Sequence, residues 1–438
     1  MKGERKSINL GLIGCGTVGS GVYRILRDNA EAISLRTGCD IKVRRVAVRD
    51  LSDPRYVDVP EGELTTDALQ VIHDPEVDIV VEVIGGVEPA RTFILESISR
   101  GKHVVSANKE LLSTHGGEIL RAAEEAGVDV AYEASVGGAI PILLPLKYSL
   151  AGNAVDSILG IVNGTTNYVL TRMSEEGLSF SEALSKAQER GYAEADPSAD
   201  VEGKDAAAKL AILASMAFNS RVTLDDVYTE GIAGITPDDI RFGRDLGYVI
   251  KLLAVAKDDP DGISVRVHPT MIPVDHPLAA VRDENNAIFV SGDAAGELMF
   301  YGKGAGSLPA ASAVVGDIIT IARNLLSGGR MAGCTCFYRK PVKDMADVIC
   351  RYFMLFDAPD RPGVLARIAG VFGDNGVSIK SVIQHGTGSE ARIVLVTHAV
   401  PERSIRSTVR GLEELGAVNR IASVIRVEDR DGEGCREG

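Results

Sequence analysis

The chain lacks an excess of positive charge. Its 438 residues include 47 Lys and Arg against 61 Asp and Glu, which gives a formal net charge of −14. Nucleic acids and anionic membrane surfaces attract proteins with a positive field, so this balance argues against both kinds of partner. Hydrophobic residues make up 45% and charged residues 25% of the chain, as in an ordinary soluble protein. A small-molecule function is favoured, and the length predicts two or three domains.

Cysteine is scarce and scattered. Only Cys334 and Cys336 lie close together, and a zinc site made from such a pair would need a second one. The pattern therefore predicts reduced thiols in a cytoplasmic protein. The six cysteines are Cys15, Cys39, Cys334, Cys336, Cys350 and Cys435.

The sequence also shows no obvious membrane or export segment. The N-terminus has basic residues and then an apolar run, but residues 8–22 contain five glycines and no small-residue cleavage site, unlike a signal peptide. The longest later apolar stretch is expected at 206–218, which is shorter than the roughly 20 residues that span a bilayer. We expect it to form a buried helix.

The first positive signal is a glycine-rich turn near the N-terminus. The apolar run 8–13 leads into Gly14-x-Gly16-x-x-Gly19 and then into helical periodicity, the strand–turn–helix context of a dinucleotide-binding loop. Gly14 permits the tight turn, Gly16 lets a pyrophosphate approach the backbone, and Gly19 lets the helix pack against the strand.

Two further pairs of residues concern the same nucleotide. Thr17 and Val18 begin the helix, whose N–H groups and positive dipole end suit a phosphate. Arg49 and Asp50 follow the second predicted strand. Arg49 suits the 2′-phosphate of NADP and Asp50 the ribose diol of NAD, so NADP is modestly favoured, with an exposed turn as the alternative.

Strand-like and helical runs alternate through residues 1–140, with helices expected at 88–100 and 109–126. This alternation predicts a parallel, doubly wound Rossmann-type sheet. Ligands of such sheets bind at the carboxyl edge, where the segment "SANKELL" places Lys109. Lys109 is thus either a charge for cofactor or substrate, or a solvated residue at a helix start.

The pattern changes beyond residue 140. Long helical patterns in 141–301 predict an α+β catalytic and dimerisation domain, and a glycine-rich turn with a helix at about 302–330 predicts a return to the nucleotide domain. Residues 350–428 show the order βαββαβ of a ferredoxin-like module. The polar, glycine-rich end, 429–438, is expected to be a flexible tail.

The alanine-rich segment "DVEGKDAAAKL", residues 200–210, carries an unusual density of charge. Asp205 and Lys209 are four residues apart and so share one face of a helix. An apolar stretch follows Lys209, and partial burial there would favour the neutral amine and suit proton transfer. The alternative is an exposed ion pair of little energetic weight.

Polar residues precede this helix. The loop "GYAEADPSAD", residues 191–200, holds Glu194, Asp196 and Asp200, which either bind an ammonium group or, for Asp200, cap the next helix. The segment "NGTTNY", residues 163–168, is either a platform for an anion or polar ligand, or an ordinary helix N-cap.

These motifs together resemble homoserine dehydrogenase over about residues 8–330, and 351–427 resembles an ACT domain, a small amino-acid-sensing module. The resemblance rests on "GLIGCGTVGSGV", "SANKELL", "YEASVGGAIPI", "NGTTNYVL", "GYAEADPSADVEGKDAAAKLAILA", "YGKGAGSLPAASAVVGDI" and "DRPGVLARIAGVFGDNGVSI".

The resemblance implies reversible, NAD(P)-dependent conversion of L-aspartate 4-semialdehyde and L-homoserine, on the route to threonine and methionine. It makes Lys209 the proton donor to the aldehyde oxygen and Asp205 its positioning residue, and it places Lys109 between nicotinamide and substrate. Glu202 and Lys204 receive no role and are expected in solvent. The substrate-binding residues it implies are Glu194, Asp200, Tyr192 and Thr165, and the further cofactor-binding residues are Gly85, Ser106 and Gly304.

The segment "EASVGGAI" resembles the monovalent-cation loop of the same family. The resemblance implies a sodium-like ion held by Glu133 and by the backbone carbonyls of Val136, Gly138 and Ile140. Carboxylate and carbonyl oxygens suit hard cations, and the ion is expected to be structural. The ACT-like module implies feedback inhibition by L-threonine, and the family implies a homodimer or homotetramer in the cytoplasm.

Two other functions compete with this interpretation. A Rossmann aldehyde dehydrogenase with a cysteine nucleophile would need an activated thiol, but Cys15 lies in the phosphate loop and neither Cys334 nor Cys336 has an obvious activating partner. A regulator that binds nucleotide and amino acid without catalysis would be expected to have lost Lys209 or Asp205, and both are present.

Overall fold

The computed structural model describes residues 6–52, 56–386, 391–416 and 418–428, so the predicted tail and Cys435 lie outside the described residues. The helices are α1 (Thr17–Asp28), α2 (Ala30–Thr37), α3 (Ala68–Ile72), α4 (Ala90–Ser99), α5 (Lys109–Ala126), α6 (Gly164–Glu176), α7 (Phe180–Glu189), α8 (Ser198–Val201), α9 (Lys204–Ala217), α10 (Pro237–Asp245), α11 (Ser307–Ser327), α12 (Val364–Asp374) and α13 (Glu402–Leu415). The strands are β1 (Ser7–Ile13), β2 (Asp40–Ala47), β3 (Leu64–Thr65), β4 (Ile79–Glu82), β5 (His103–Ser106), β6 (Val130–Ala131), β7 (Val155–Ile161), β8 (Tyr228–Thr229), β9 (Tyr248–Asp259), β10 (Gly262–Pro273), β11 (Asn285–Gly292), β12 (Gly296–Lys303), β13 (Ile349–Ala358), β14 (Ile379–His385), β15 (Ala391–Thr397), β16 (Val400–Pro401) and β17 (Arg420–Val427).

The chain divides into two units. The first consists of residues 1–158, 208–227 and 286–340, and the second of 159–207, 228–285 and 341–438. Helix α9 therefore begins in the second unit and ends in the first. This division differs from the expected domains, because β11 and β12 and the second half of α9 belong to the same unit as the nucleotide sheet.

The first unit contains the predicted doubly wound sheet. Six parallel strands lie in the order β3-β2-β1-β4-β5-β6, so the expected fold is confirmed. The strand order reverses between β1 and β4, which makes the carboxyl end of β1 the switch point where such sheets bind ligands. All four residues of β4 are buried, as expected for a parallel strand covered by helices on both faces.

Helix α11 is a longer apolar segment than 206–218, contrary to expectation. By length and composition alone it could cross a membrane. In the structure, however, Val314, Ile318 and Ile321 of α11 pack in the core of the first unit with Leu10 of β1 and Val22 of α1. This burial explains the apolar composition of α11, since a core helix meets the same criteria as a membrane span.

The second unit contains the predicted βαββαβ module. Its strands pair antiparallel in the order β17-β13-β15-β14, and helices α12 and α13 complete the module. Strand β10 pairs along its whole length with β9 and also pairs in parallel with β17, at Thr270 with Arg426 and at Met271 with Val427. The module therefore shares a continuous sheet with β9 and β10.

Candidate functional site

The glycine loop after β1 is shaped by backbone contacts. Gly14 has φ +105°, in the left-handed region that favours glycine, and its N–H donates to the Ala47 carbonyl at 2.9 Å. A Cβ on Gly19 would lie 2.2 Å from the Gly14 carbonyl oxygen, whereas a Cβ on Gly16 would meet nothing within 4 Å. Gly19 is thus required by packing inside the protein, and Gly16 faces open space.

A cavity of about 810 Å³ opens beside this loop in the first unit. Its volume is within the usual range for a small-molecule or cofactor site. The predicted residues in its lining are Gly14, Gly16, Arg49, Asp50 and Gly85. Thr17 and Val18 form the first turn of α1 next to the loop, and the Ser307 hydroxyl of α11 donates to the Thr17 carbonyl at 2.5 Å.

Arg49 and Asp50 differ in how they are held. Both are exposed. Asp50 Oδ1 accepts hydrogen bonds from the backbone N–H and the hydroxyl of Ser52, at 2.8 and 2.7 Å, which is the local turn that aspartate commonly forms. Asp50 therefore already serves the turn, and Arg49 adds a positive charge to the lining of the cavity.

A buried glutamate supports the neighbouring loop. Glu82, the last residue of β4, is fully buried, and burial raises the pKa of its carboxyl group. Its Oε1 accepts from Ile84 N–H at 2.9 Å, and its Oε2 accepts from the Ser106 hydroxyl at 2.7 Å. Asn108 Nδ2 donates to the Gly86 carbonyl at 2.6 Å. The structure thus places the Ser106 side chain beneath the loop, not in the cavity lining.

Lys109 is the first residue of α5 and is half-buried. Asn108 caps the helix, with its Oδ1 accepting from Leu111 N–H at 3.2 Å. A positive charge at a helix N-terminus opposes the helix dipole and costs about 0.3–1 kcal/mol. The helix dipole therefore does not stabilise the charge of Lys109.

Glu133 is held by backbone donors. Its Oε1 accepts from Ile142 N–H at 2.5 Å and from Leu143 N–H at 2.8 Å, and its Oε2 accepts from Leu144 N–H at 2.7 Å. Burial raises the pKa of Glu133 although these hydrogen bonds act in the opposite direction. Because a carboxylate oxygen has two lone pairs, Oε2 can still bind a cation.

The other predicted cation ligands lie in a tight turn after Glu133. Val136 and Ile140 are buried, and Gly138 has φ +57°. A Cβ on Gly138 would lie 2.4 Å from the Gly304 carbonyl oxygen, and a Cβ on Gly304 would lie 1.9 Å from Asn286 Nδ2. The structure therefore places Gly304 in contact with the turn of the predicted cation loop.

In the second unit, one asparagine joins two of the predicted carboxylates. Asn163 follows β7, and its Nδ2 donates to Asp200 Oδ1 at 2.7 Å and to Asp205 Oδ2 at 2.8 Å. Its Oδ1 accepts from Thr166 N–H at 2.9 Å and so caps α6. Asp200 lies within α8, so it does not cap α9. Asn163, Asp200 and Asp205 form one hydrogen-bonded group, the carboxylate cluster.

Two more predicted substrate residues lie at the edge of the same cluster. The Thr165 hydroxyl is 2.6 Å from the Tyr192 carbonyl oxygen and 3.0 Å from Asp200 Oδ2. The Tyr192 ring packs on Tyr168, with 5.0 Å between the ring centroids. Glu194 is exposed in the loop, and its backbone carbonyl accepts from the Gln188 side chain at 3.1 Å.

The charged residues of α9 and of the turn before it differ in exposure. Asp205 is buried, and Lys209, one helical turn later, is half-buried at the start of an apolar run. Glu202 and Lys204 are exposed, with their charged groups 2.6 Å apart, so the expectation that they face solvent is confirmed. Asp205 and Lys209 are therefore the charged residues of α9 that are at least partly buried.

Sequence reasoning left Asn163 as a helix cap or a polar platform, and it missed Glu82 and Asn108. Each is a polar residue at or just after the end of a buried strand, respectively β7, β4 and β5. Polar residues at the carboxyl ends of buried strands commonly serve a ligand site, and that position was the available signal.

The strand order, the glycine loop and the cavity at the switch point define the class of protein: one with a Rossmann-type dinucleotide-binding domain. Family models identify the parts of the chain. The model of homoserine dehydrogenase matches residues 141–319, the model of its NAD binding domain matches 14–133, and the ACT domain model matches 352–417.

Similar proteins cover nearly the whole chain. The homoserine dehydrogenase of Corynebacterium glutamicum is 47% identical over 98% of this chain and 97% of its own length, and that of Synechocystis sp. is 47% identical over 96% and 99%. The crystal structure of a homoserine dehydrogenase from Thiobacillus denitrificans has a TM-score of 0.91 and 42% identity over 97% of this chain and 99% of that chain. The chain belongs to the homoserine dehydrogenase family.

Membership fixes the reaction class. The chain is an NAD(P)-dependent oxidoreductase that acts on a CH–OH donor and interconverts L-homoserine and L-aspartate 4-semialdehyde. Its C-terminal module is an ACT domain. The two competing functions, a cysteine-dependent aldehyde dehydrogenase and a regulator without catalysis, are therefore set aside.

Proposed function

We propose that Lys209 donates the proton to the aldehyde oxygen when L-aspartate 4-semialdehyde is reduced, and accepts it when L-homoserine is oxidised. Asp205, one turn earlier on α9, is its positioning residue. The observation that carries this proposal is the Asn163 amide, which binds Asp200 at 2.7 Å and Asp205 at 2.8 Å and so fixes the start of α9. The nicotinamide cofactor supplies or removes the hydride when bound.

The substrate amino group is assigned to carboxylates of the second unit. Asp200 is only partly buried. Its Oδ1 accepts from the Asn163 amide at 2.7 Å and its Oδ2 lies 3.0 Å from the Thr165 hydroxyl, which leaves acceptor capacity for an ammonium group. Glu194 adds an exposed negative charge, and Thr165 holds the Tyr192 backbone. These contacts support the implied substrate residues by keeping their loop in one conformation.

The test compares two lysines of α9. Lys209→Ala is expected to lower kcat for L-homoserine oxidation by about 100-fold or more, the range for loss of a general acid or base. The matched control is Lys204→Ala, an exposed lysine on the same helix that pairs with Glu202, and its kcat is expected to stay near that of the unsubstituted chain. Equal kcat values for both variants would refute the role of Lys209.

For the cofactor, we propose NADP in preference to NAD. Arg49 lines the cavity, whereas Asp50 already accepts two hydrogen bonds from Ser52. A hyperthermophilic archaeal homoserine dehydrogenase, with a TM-score of 0.62 and 23% identity, shares the fold and was solved in complex with NADPH. Gly16 and the first turn of α1 bind the pyrophosphate, and Lys109 faces the nicotinamide end. A KM lower for NADP than for NAD is expected, and the reverse order contradicts this preference.

We also propose that the loop after Glu133 binds a monovalent cation, with sodium as the expected ion. Glu133 Oε2 has a lone pair to offer, and Val136, Gly138 and Ile140 have backbone carbonyls. The proposed role is structural, because the same loop packs against Gly304. Thermal unfolding in sodium chloride and in choline chloride of equal ionic strength tests it, with a higher Tm expected in sodium.

Regulation and assembly complete the proposal. The ACT domain suggests an amino-acid effector, and the pathway makes L-threonine the expected one, acting as a feedback inhibitor in a cytoplasmic homodimer or homotetramer. The pairing of β17 with β10 supports coupling, because it joins the ACT sheet directly to a long strand of the same unit. Homoserine oxidation measured across a threonine titration tests this, and a flat response contradicts it.

A further inference from the structure

The segment after α11 holds a pair of thiols with unequal surroundings. Arg221 Nη2 donates to Cys334 Sγ at 3.3 Å, so the expectation that neither thiol has an activating partner is wrong. The Cys336 thiol instead lies 3.8 Å from the Ser215 carbonyl oxygen of α9, a weak contact that its proton can exchange for one with the Cys334 sulfur. One sulfur therefore accepts from a cation while the other donates a proton, which is the arrangement of a thiolate next to a thiol.

The pKa shifts of the two thiols agree with this geometry. A hydrogen bond from Cys336, aided by Arg221 and Lys147, lowers the pKa of Cys334 to about 5, against the effect of burial. Hydrogen bonding to Cys334, followed by burial, raises the pKa of Cys336. Near neutral pH the pair thus holds one thiolate, which can attack an electrophile, and one thiol, which keeps its proton.

The pair is accessible to a small reagent. Cys334 and Cys336 are both half-buried, and they line a cavity of about 20 Å³ together with Tyr132, Lys147 and Arg221. This volume holds about one water-sized molecule. By contrast, Cys15, Cys39 and Cys350 are buried. The cavity favours a reagent such as hydrogen peroxide over a bulky disulfide.

We propose that Cys334 and Cys336 form an oxidation site for hydrogen peroxide that closes to an intramolecular disulfide. The Cys334 thiolate attacks one peroxide oxygen, the O–O bond breaks, and a sulfenic acid and hydroxide form. The Cys336 thiol then attacks the Cys334 sulfur, the S–OH bond breaks, and the hydroxyl leaves as water with the Cys336 proton. The peroxide is reduced and the two thiols are oxidised.

The thiol pair includes neither Asp205 nor Lys209, although Cys336 contacts Ser215 of the same helix α9. A disulfide between residues so close in sequence closes a small, strained ring, and strained disulfides are readily reduced. The modification is therefore expected to be reversible by dithiothreitol.

The experiment exposes the full chain to hydrogen peroxide below one equivalent, alkylates the remaining thiols and maps them by peptide mass spectrometry. Cys334 is expected to react about tenfold faster than Cys15, Cys39 or Cys350, because thiolate content controls the rate. The product should be the Cys334–Cys336 disulfide. Reaction of Cys334 no faster than these three thiols, or pairing with a different cysteine, would overturn the proposal.

Variants separate the two steps. In Cys336→Ser, a sulfenic acid on Cys334 should accumulate and be trapped by dimedone added together with denaturant, which opens the small cavity to this larger reagent. Arg221→Gln should slow oxidation of Cys334 about tenfold by removing the cation beside the thiolate. Arg339→Gln, an exposed arginine of the same segment, is the matched control and should leave the rate unchanged. Absence of trapped sulfenic acid in Cys336→Ser, or equal rates in both arginine variants, contradicts the assigned roles.

Discussion

The cofactor loop of the first unit and the carboxylate cluster of the second unit are built from different parts of the chain. The cofactor loop consists of backbone: Gly14 takes a left-handed φ of +105°, and Gly19 lies where a Cβ would be 2.2 Å from a carbonyl oxygen. The carboxylate cluster consists of side chains, with the Asn163 amide between Asp200 and Asp205.

The difference shows which changes each site can tolerate. A loop made of backbone has few side chains to lose, but it fails when an atom is added where two backbones touch. A cluster made of side chains fails when one shared donor is removed, because a buried carboxylate then loses one of its hydrogen bonds. The two sites should therefore respond to opposite kinds of substitution.

The largest effect is expected from adding one carbon to the loop. Gly19→Ala places a Cβ against the Gly14 carbonyl, and we expect a loss of at least about 3 kcal/mol in the free energy of unfolding, together with loss of cofactor binding. Gly16→Ala is the matched control, since its Cβ meets no protein atom within 4 Å. It should unfold at an unchanged Tm and raise only the cofactor KM. Equal free energies of unfolding for the two variants would contradict the claim that backbone packing at Gly19 limits the loop.

The second-largest effect is expected when the side-chain amide of Asn163, which Asp200 and Asp205 share, is removed. A serine at position 163 can still cap α6, but it cannot reach both Asp200 and Asp205. Asn163→Ser should therefore lower kcat/KM for L-homoserine by about 100-fold and change the cofactor dissociation constant little. Steady-state kinetics and a fluorescence titration with NADPH measure the two values. A weaker affinity for NADPH with normal turnover would show that the two sites are not separate.

A smaller effect on stability is expected when the pH is lowered. Burial alone would raise the pKa of Glu428, but Lys257, at 2.7 Å, and Arg266 lower it to about 2, from an ordinary value of 4.5. Because its folded pKa is depressed, Glu428 contributes stability above about pH 4.5, and this contribution disappears as the pH falls toward 2.

Glu428→Gln tests this contribution and sharpens the contrast between backbone and side chains. Its Tm should be lower than that of the unsubstituted chain at neutral pH, and the gap should narrow between about pH 4.5 and 2 as Glu428 protonates. A gap that stays constant with pH would mean that charge pairing with Lys257 and Arg266 does not stabilise this unit.

The sequence was most informative where local rules apply. The spacing of Gly14, Gly16 and Gly19 predicted the turn between β1 and α1, because the close approach of Gly19 to the Gly14 carbonyl lies within the loop itself. Alternating strands and helices predicted the parallel sheet, and the order of elements predicted the βαββαβ module. Each of these signals lies within one element or one turn of the chain.

The remaining features of the sites depend on contacts between residues that are far apart in the sequence. Asn163 contacts residues 37 and 42 positions later, and Arg221 contacts Cys334, 113 positions later. No periodicity encodes such contacts, so Asn163 could only be interpreted as a cap or a polar platform. Likewise, a role for Ser106 at the cofactor came only from the family resemblance, and the contact of its hydroxyl with Glu82, 24 positions earlier, is not encoded in a local pattern.

The most direct measurement of the central claim, that cofactor binding and the positioning of Lys209 are separate, uses Asp205→Asn. The substitution keeps the shape of the side chain and removes its charge. In one preparation, kcat for L-homoserine oxidation should fall about 100-fold or more, while the dissociation constant for NADPH stays within about twofold, a difference of under 0.5 kcal/mol. Normal turnover, or a parallel loss of NADPH affinity and turnover, would contradict the account.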